Sequence, residues 1–99
     1  MDTRRYELRA GIIKAMAHPS RLAMIDALAE KGEVCVCDLQ RVVGSDMSTV
    51  SKHLAVMKAA GIVQDRKDGL WVYYRLRCPC ITEFFGCIET VIEARSVAA

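Results

Sequence analysis

The sequence predicts a mainly α domain with a small β-hairpin, a winged helix-turn-helix in the order α-α-α-α-β-β-α. Three observations carry that expectation. Two segments with helical periodicity meet at a short Val43-Gly44-Ser45-Asp46 turn. An Asp68-Gly69 dipeptide separates two runs rich in β-branched and aromatic residues. Ile81, Phe84, Phe85, Ile88, Val91 and Ile92 then form a wide apolar stripe at helical spacing near the end of the chain. At 99 residues, residues 1–99 read as a single domain.

Residues 4–16 carry Tyr6, Leu8, Ile12, Ile13 and Met16, a loose helical pattern. His18-Pro19-Ser20 breaks it, because a residue before proline is driven out of the helical region. Ser20 offers a cap or first-turn residue for the next helix, which Leu22, Ile25, Leu28 and Ala29 define and Gly32 closes. A short helix follows over Val36–Val43, ended by Gly44. Ser45-Asp46 caps a fourth helix, in which Val50, Leu54 and Met57 form the inner stripe and Gly61 is the stop. The runs "IVQDRK" and "LWVYYRL" around Asp68-Gly69 make the hairpin. Pro79 opens the final helix as its first residue.

A composition of 53% hydrophobic and 26% charged residues is that of a chain that folds. No run approaches the roughly 18 apolar residues of a membrane helix, and the N-terminus lacks the apolar core of a secretory signal. Both point to a cytoplasmic protein with no membrane partner. Five cysteines, an odd number, argue against a disulfide scaffold in a reducing compartment and for thiol chemistry or soft-metal binding.

Net charge is only +2, but it is unevenly spread. Between residues 52 and 77 six basic residues face two acidic ones, whereas three glutamates against Arg95 make the tail acidic. A basic segment of this kind suits an anionic partner such as nucleic acid; a solvated charged face is the plain alternative. A winged helix places its second helix in the major groove and its basic hairpin on phosphates or in the minor groove. Ser48, Thr49, Ser51, Lys52 and His53 supply small polar donors and a cation on that helix, and Arg66 and Lys67 lie at the hairpin tip. Taken singly, Ser and Thr cap helices and a histidine sits satisfied in a core. Taken together beside a hairpin, they read as a surface for double-stranded DNA. No Cys-x-x-Cys near a βαβ pattern, Ser/His/Asp set or Gly-rich phosphate loop is present, so an enzyme, including a small thiol oxidoreductase, is not expected.

Cys35 and Cys37 straddle the start of the short third helix. Residues two apart share a side on an extended strand but not on a helix. An ion that needs both sulfurs is therefore expected to pull the start of that helix out of shape and so disturb the recognition helix. Thiolates select soft ions such as arsenite, antimonite, cadmium or lead, and a helix N-terminus favours the thiolate. The bland alternative is two small buried residues in a valine-rich run. A further alternative keeps DNA binding and makes thiol oxidation or persulfide formation the signal. His18 and Asp38 are given no metal role, since the first precedes a proline and the second serves as readily as a cap.

The segments "AHPSRLAMIDALAE", "EVCVCDLQ", "MSTVSKHLAVMKAAGIV" and "DGLWVYYRL" resemble the ArsR/SmtB family of metal-sensing bacterial and archaeal repressors, from about Ile13 to Ile92. The resemblance implies a winged-helix homodimer that blocks transcription from an operator and is released by an inducer ion. "CVCDL" resembles the arsenite-sensing branch, with As(III) or Sb(III) held by sulfur and no organic cofactor. In that branch a third cysteine stands where this chain has Gln40, so the third sulfur comes from elsewhere or two suffice. The cadmium- and lead-sensing branch adds cysteines from an N-terminal arm, which this N-terminus lacks. Leu70 stands where the family often has a basic wing residue.

By position, Cys78 and Cys80 match the start of the zinc site of other relatives, but its later partners fall at Val91 and Ala94. That zinc site is not intact, and Cys78 and Cys80 become a candidate second site for a soft ion. Cys87 lies about 10 Å along the helix axis from Cys80, too far to share one ion within a straight helix. It is a weak candidate ligand, better suited to filling a core or an interface.

The apolar stripe of the last helix is too large to leave in water, which predicts a homodimer through the first and last helices. Two-fold symmetry then predicts a palindromic operator with half-sites about 10 base pairs apart.

Overall fold

The computed structural model describes residues 1–98. Helix α1 spans Thr3–Met16, and its cap is Asp2, whose carboxylate accepts from the Arg5 N–H at 3.1 Å. Helix α2 spans Pro19–Lys31. Its cap is His18 rather than Ser20: the backbone of His18 is extended, as the following proline requires, and Nδ1 accepts from the Ser20 N–H at 3.0 Å. Strand β1 covers Glu33–Cys35, followed at once by helix α3 over Val36–Val43. Helix α4 spans Met47–Ala59, strands β2 and β3 span Val63–Asp68 and Trp71–Leu76, and helix α5 spans Ile81–Ala98.

The order is thus the expected one with an added strand. β1 pairs antiparallel with β3, setting Val34 opposite Tyr74 and Cys35 opposite Tyr73, so the wing is a three-stranded sheet of order β1-β3-β2. In β2–β3 the register runs from Val63 opposite Leu76 to Asp68 opposite Trp71, and Gly69 turns the chain with φ of 62°. Gly44, at φ 68°, takes the left-handed conformation that closes α3 and redirects the chain into α4. The α4 cap is Asp46, which accepts from the Thr49 N–H at 2.7 Å. Pro79 lies two residues ahead of α5 instead of opening it.

The core is built where α2, α3 and α4 converge on the sheet. Met24, Ile25, Leu28, Leu39, Val50, Leu54, Met57 and Val63 are fully buried. Each such side chain stabilises the fold by about 1.5–3 kcal/mol, so this cluster fixes α4 and the wing relative to each other. α1 and α5 contribute little to it. Ile12, Ile13 and Met16 of α1 and Ile81 and Phe84 of α5 line an open apolar trough, and Ile13, Phe84, Val91 and Ile92 are 42–60% exposed.

Candidate metal centre and nucleic-acid interface

Helix α4 divides its side chains by face. Val50, Leu54 and Met57 point into the core, which leaves Ser48, Ser51 and Lys52 exposed and Thr49 partly so. The backbone N–H of Thr49 is used by the Asp46 cap, and that hydrogen bond holds the Asp46 carboxyl below the usual carboxylate range, with Lys52 nearby acting in the same direction. Ser48, Ser51 and Lys52 therefore form a small polar surface on a rigid, capped helix.

His53 does not join that surface. It is 8% exposed, its Nδ1 accepts from Arg21 Nε at 3.0 Å, and its ring lies 4.4 Å from that of His18. The expectation that His53 contacts DNA is corrected accordingly: it faces inward and joins α4 to α2. Sequence position alone could not show this, because Arg21 is 32 residues away.

The two wing cations also part company. Lys67 sits beside the turn and is exposed, with no ion pair among the described residues. Arg66 is not at the tip but two residues inside β2. Its Nη2 donates to Glu33 at 2.6 Å and Nε at 3.3 Å, Asp68 lies at 3.6 Å, and the guanidinium stacks 4.8 Å over Tyr73. The hydrogen bond from Arg66 lowers the Glu33 pKa and raises that of Arg66. Lys58 is likewise paired, with Asp65 at 3.0 Å. Part of the basic surplus between residues 52 and 77 is thus neutralised within the fold.

Cys35 and Cys37 are joined as a disulfide, with Cα atoms 5.5 Å apart. Cys35 is the cap of α3, in extended backbone and 8% exposed, whereas Cys37 lies in the first helical turn and is half-buried. The strand-to-helix boundary brings the two sulfurs together with α3 intact from Val36. The expected unwinding is not needed for them to meet. Asp38, given no metal role on the sequence, joins them: one carboxylate oxygen and both sulfurs lie within 4.8 Å of one another. Among the described residues this is the one group of three such side chains that could share an ion. The signal was present in the unbroken Cys-x-Cys-Asp run. Once the disulfide is reduced, two thiolates and a carboxylate form a donor set for soft and borderline cations, and two thiolates alone suit a soft metalloid.

Cys78 and Cys80 lie in the exposed turn before α5, with sulfurs 2.8 Å apart. The hydrogen bond with Cys78 pushes the Cys80 thiol up, which disfavours the thiolate that an ion requires. Cys87 is exposed on α5 and belongs to neither group.

Residues 18–65 match the family model described as bacterial regulatory protein, arsR family. A helix-turn-helix-type transcriptional regulator of Methanocaldococcus jannaschii is 43% identical over 85 residues, spanning 86% of this chain and 96% of the relative. The arsenical resistance operon repressor of Escherichia coli is 42% identical over 90 residues, spanning 84% of this chain and 77% of the relative. Among solved structures, the homodimeric winged helix-turn-helix DNA-binding domain Mb0332 of Mycobacterium bovis superposes with a TM-score of 0.80 at 27% identity, over 98% of this chain and 89% of that one.

Proposed function

Because the chain belongs to the arsR family of bacterial regulatory proteins, and so is a DNA-binding transcriptional regulator rather than an enzyme, we propose that it is a homodimeric repressor that leaves its operator when Cys35 and Cys37 take up a soft metalloid. As(III) or Sb(III) is the preferred inducer, ahead of Cd, Pb or Zn. The observation that carries this reading is the meeting of two sulfurs at the junction of β1 and α3. Cys35 belongs to a strand hydrogen-bonded to the wing, and Cys37 to the helix that precedes the recognition helix. Holding an ion between them sets their separation, and with it the position of α3 against the sheet. The M. bovis homodimer and the uncovered trough between α1 and α5 support the dimer. A dimer implies a palindromic operator read by Ser48, Thr49, Ser51 and Lys52 of each protomer, with Lys67, and Arg66 where it is released from Glu33, on phosphates. Asp38 supplies a third donor for Cd, Pb or Zn; Cys78 and Cys80 are the second-site candidates.

The Cys35–Cys37 bond itself favours a second reading, in which dithiol oxidation is the signal. Both are tested by operator binding of reduced protein to the DNA upstream of its own gene, titrated with arsenite, cadmium, zinc and diamide. The metalloid reading expects release by arsenite in wild type and Cys78→Ser, and none in Cys35→Ser. Release by diamide but not by arsenite assigns the signal to oxidation instead.

A further inference from the structure

The wing ends in a two-residue turn. Asp68 of β2 is opposite Trp71 of β3, so Gly69 and Leu70 alone connect the strands, with Gly69 at φ 62°. Leu70 therefore sits at the apex, where it is 99% exposed, and Trp71 beside it is 57% exposed. Neither joins the core cluster, so the fold does not require large apolar side chains there. Neither lines the trough between α1 and α5, so pairing through that trough does not by itself cover them. Both instead border one opening with Met47 and Ser51 of α4, which sets the wing tip beside the recognition helix.

The charges around the apex nearly cancel. Lys67 has no ion pair among the described residues, and Asp68 lies 3.6 Å from Arg66. Leucine cannot neutralise a phosphate, so what the apex offers DNA is not electrostatic. An apolar side chain can instead enter the minor groove and wedge into a base step, kinking the duplex by about 20–90°. A groove about 6 Å wide admits one side chain from a narrow hairpin. We propose that Leu70 is such a wedge. With the recognition helix in the major groove, the wing inserts Leu70 at a step of the neighbouring minor groove. Trp71 packs on the adjoining sugars, and Lys67 holds a flanking phosphate. This inference rests on the reading of the chain as an operator-binding repressor, and it adds a residue that sets specificity without a hydrogen bond to a base. Kinks form most readily at TA and CA/TG steps, so Leu70 selects DNA by the energy needed to deform it. Apolar burial releases no condensed counterions, so this share of affinity is insensitive to salt, unlike that of a lysine.

Full-length protein is bound to the DNA upstream of its own gene. The bend is read from the gel mobility of circularly permuted fragments, and affinity from anisotropy at several salt concentrations. Wild type is expected to bend this DNA by at least about 20° per wing. Binding should also quench the emission of Trp71, the single tryptophan of the chain. Leu70→Ser, at an exposed position, should lose most of the bend and about ten-fold in affinity, with the slope of log K against log salt unchanged. Leu70→Lys should lose the bend as well but steepen that slope by about one per wing, since a phosphate contact replaces the wedge. Replacing the TA and CA/TG steps at the flanks of the footprint with A-tracts should weaken wild type about ten-fold and Leu70→Ser little. If Leu70→Ser keeps the bend and the affinity of wild type, the apex does not enter DNA. The inference is then overturned, and the apolar pair is left to a protein partner. If wild type shows no preference for this DNA over an unrelated duplex, the repressor reading itself fails and this inference with it.

Discussion

Arg21 Nε donates to His53 Nδ1 at 3.0 Å, and this one contact fastens the recognition helix to the junction of α1 and α2. The same guanidinium donates through Nη1 to the carbonyl of Ala15 at 3.2 Å. The ring of His18, the cap of α2, lies 4.4 Å from the imidazole at a tilt of 45°. Three helices therefore meet around a half-buried arginine and a buried histidine. A network that is fully satisfied rigidifies what it joins, and here it sets the angle at which α4 is presented.

That arrangement makes stability fall on the acid side of neutrality. Burial pushes the His53 pKa down, and the nearby charges of His18 and Arg21 add to the effect. Nδ1 is already occupied as an acceptor. An unfolded histidine titrates near 6.5. As pH drops below about 6.5, the unfolded chain gains a proton that the folded chain refuses, so unfolding becomes easier until the lowered folded pKa is passed. The urea midpoint should decline between about pH 7 and pH 5. His53→Gln, which keeps an acceptor for Arg21 and cannot titrate, should flatten that decline. A midpoint equally pH-dependent in both proteins would remove His53 as the cause.

Leu39, on the inner face of α3, is fully buried, and Leu70 is 99% exposed on the wing. Leu39→Ala should destabilise by about 2–5 kcal/mol, from lost burial and the cavity left behind. Leu70→Ala should change stability by less than about 0.5 kcal/mol. Urea denaturation monitored by circular dichroism checks both. Equal costs would mean that Leu70 packs against something in the folded protein.

Lys52 is exposed on the outer face of α4 with no ion pair among the described residues. If it meets a phosphate, Lys52→Ala should weaken operator and non-operator DNA to a similar degree. It should also flatten the slope of log K against log salt by about one. Fluorescence anisotropy at several salt concentrations provides the slope. Loss confined to the operator would instead give Lys52 a base to read.

Glu33 holds Arg66 through two hydrogen bonds from β1. Glu33→Gln removes the closer negative charge and leaves Asp68, at 3.6 Å, as the one ion-pair partner of Arg66 among the described residues. Operator affinity should rise several-fold, and the salt slope should steepen by about one, as expected for one more phosphate contact. An unchanged slope would show that Arg66 points away from DNA even when free.

The parts of this architecture fixed by neighbours in sequence were legible without coordinates. Pro19 at a helix start, Asp46 as a cap, Gly44 as a stop and Asp68-Gly69 as a turn each act within a few residues, and each sits where local rules place it. What escaped depends on partners far along the chain. Strand β1 has only three residues and exists because Val34 and Cys35 pair with β3 some 40 positions later. Arg66 reads as a free cation until Glu33 is brought beside it, and His53 reads as a surface donor until Arg21 is. The thiol pair lay between: its spacing marked a candidate site, but only the change from strand to helix between Cys35 and Val36 shows how the two sulfurs meet with α3 intact.

The last prediction concerns the trough. Ile88 on α5 is 39% exposed, in line with Phe84, Val91 and Ile92. A continuous apolar face of this kind on a small chain marks an interface, and the expected cover is the two-fold copy of α1 and α5. Ile88→Asp would bury two carboxylates, one from each protomer, at the centre of that contact, where each lacks a partner. The variant should sediment as a monomer at concentrations where wild type is a dimer, with its helical circular dichroism retained, because Ile88 lies outside the core of the single chain. On the palindromic operator proposed above, a monomer would grip one half-site at a time and forfeit the effective concentration that linkage provides, so operator affinity should fall on the order of 10²–10⁴-fold. The single-half-site affinity should be preserved, which separates loss of pairing from damage to α4. A variant that remains dimeric would place the interface on another face and leave the apolar trough to a different occupant.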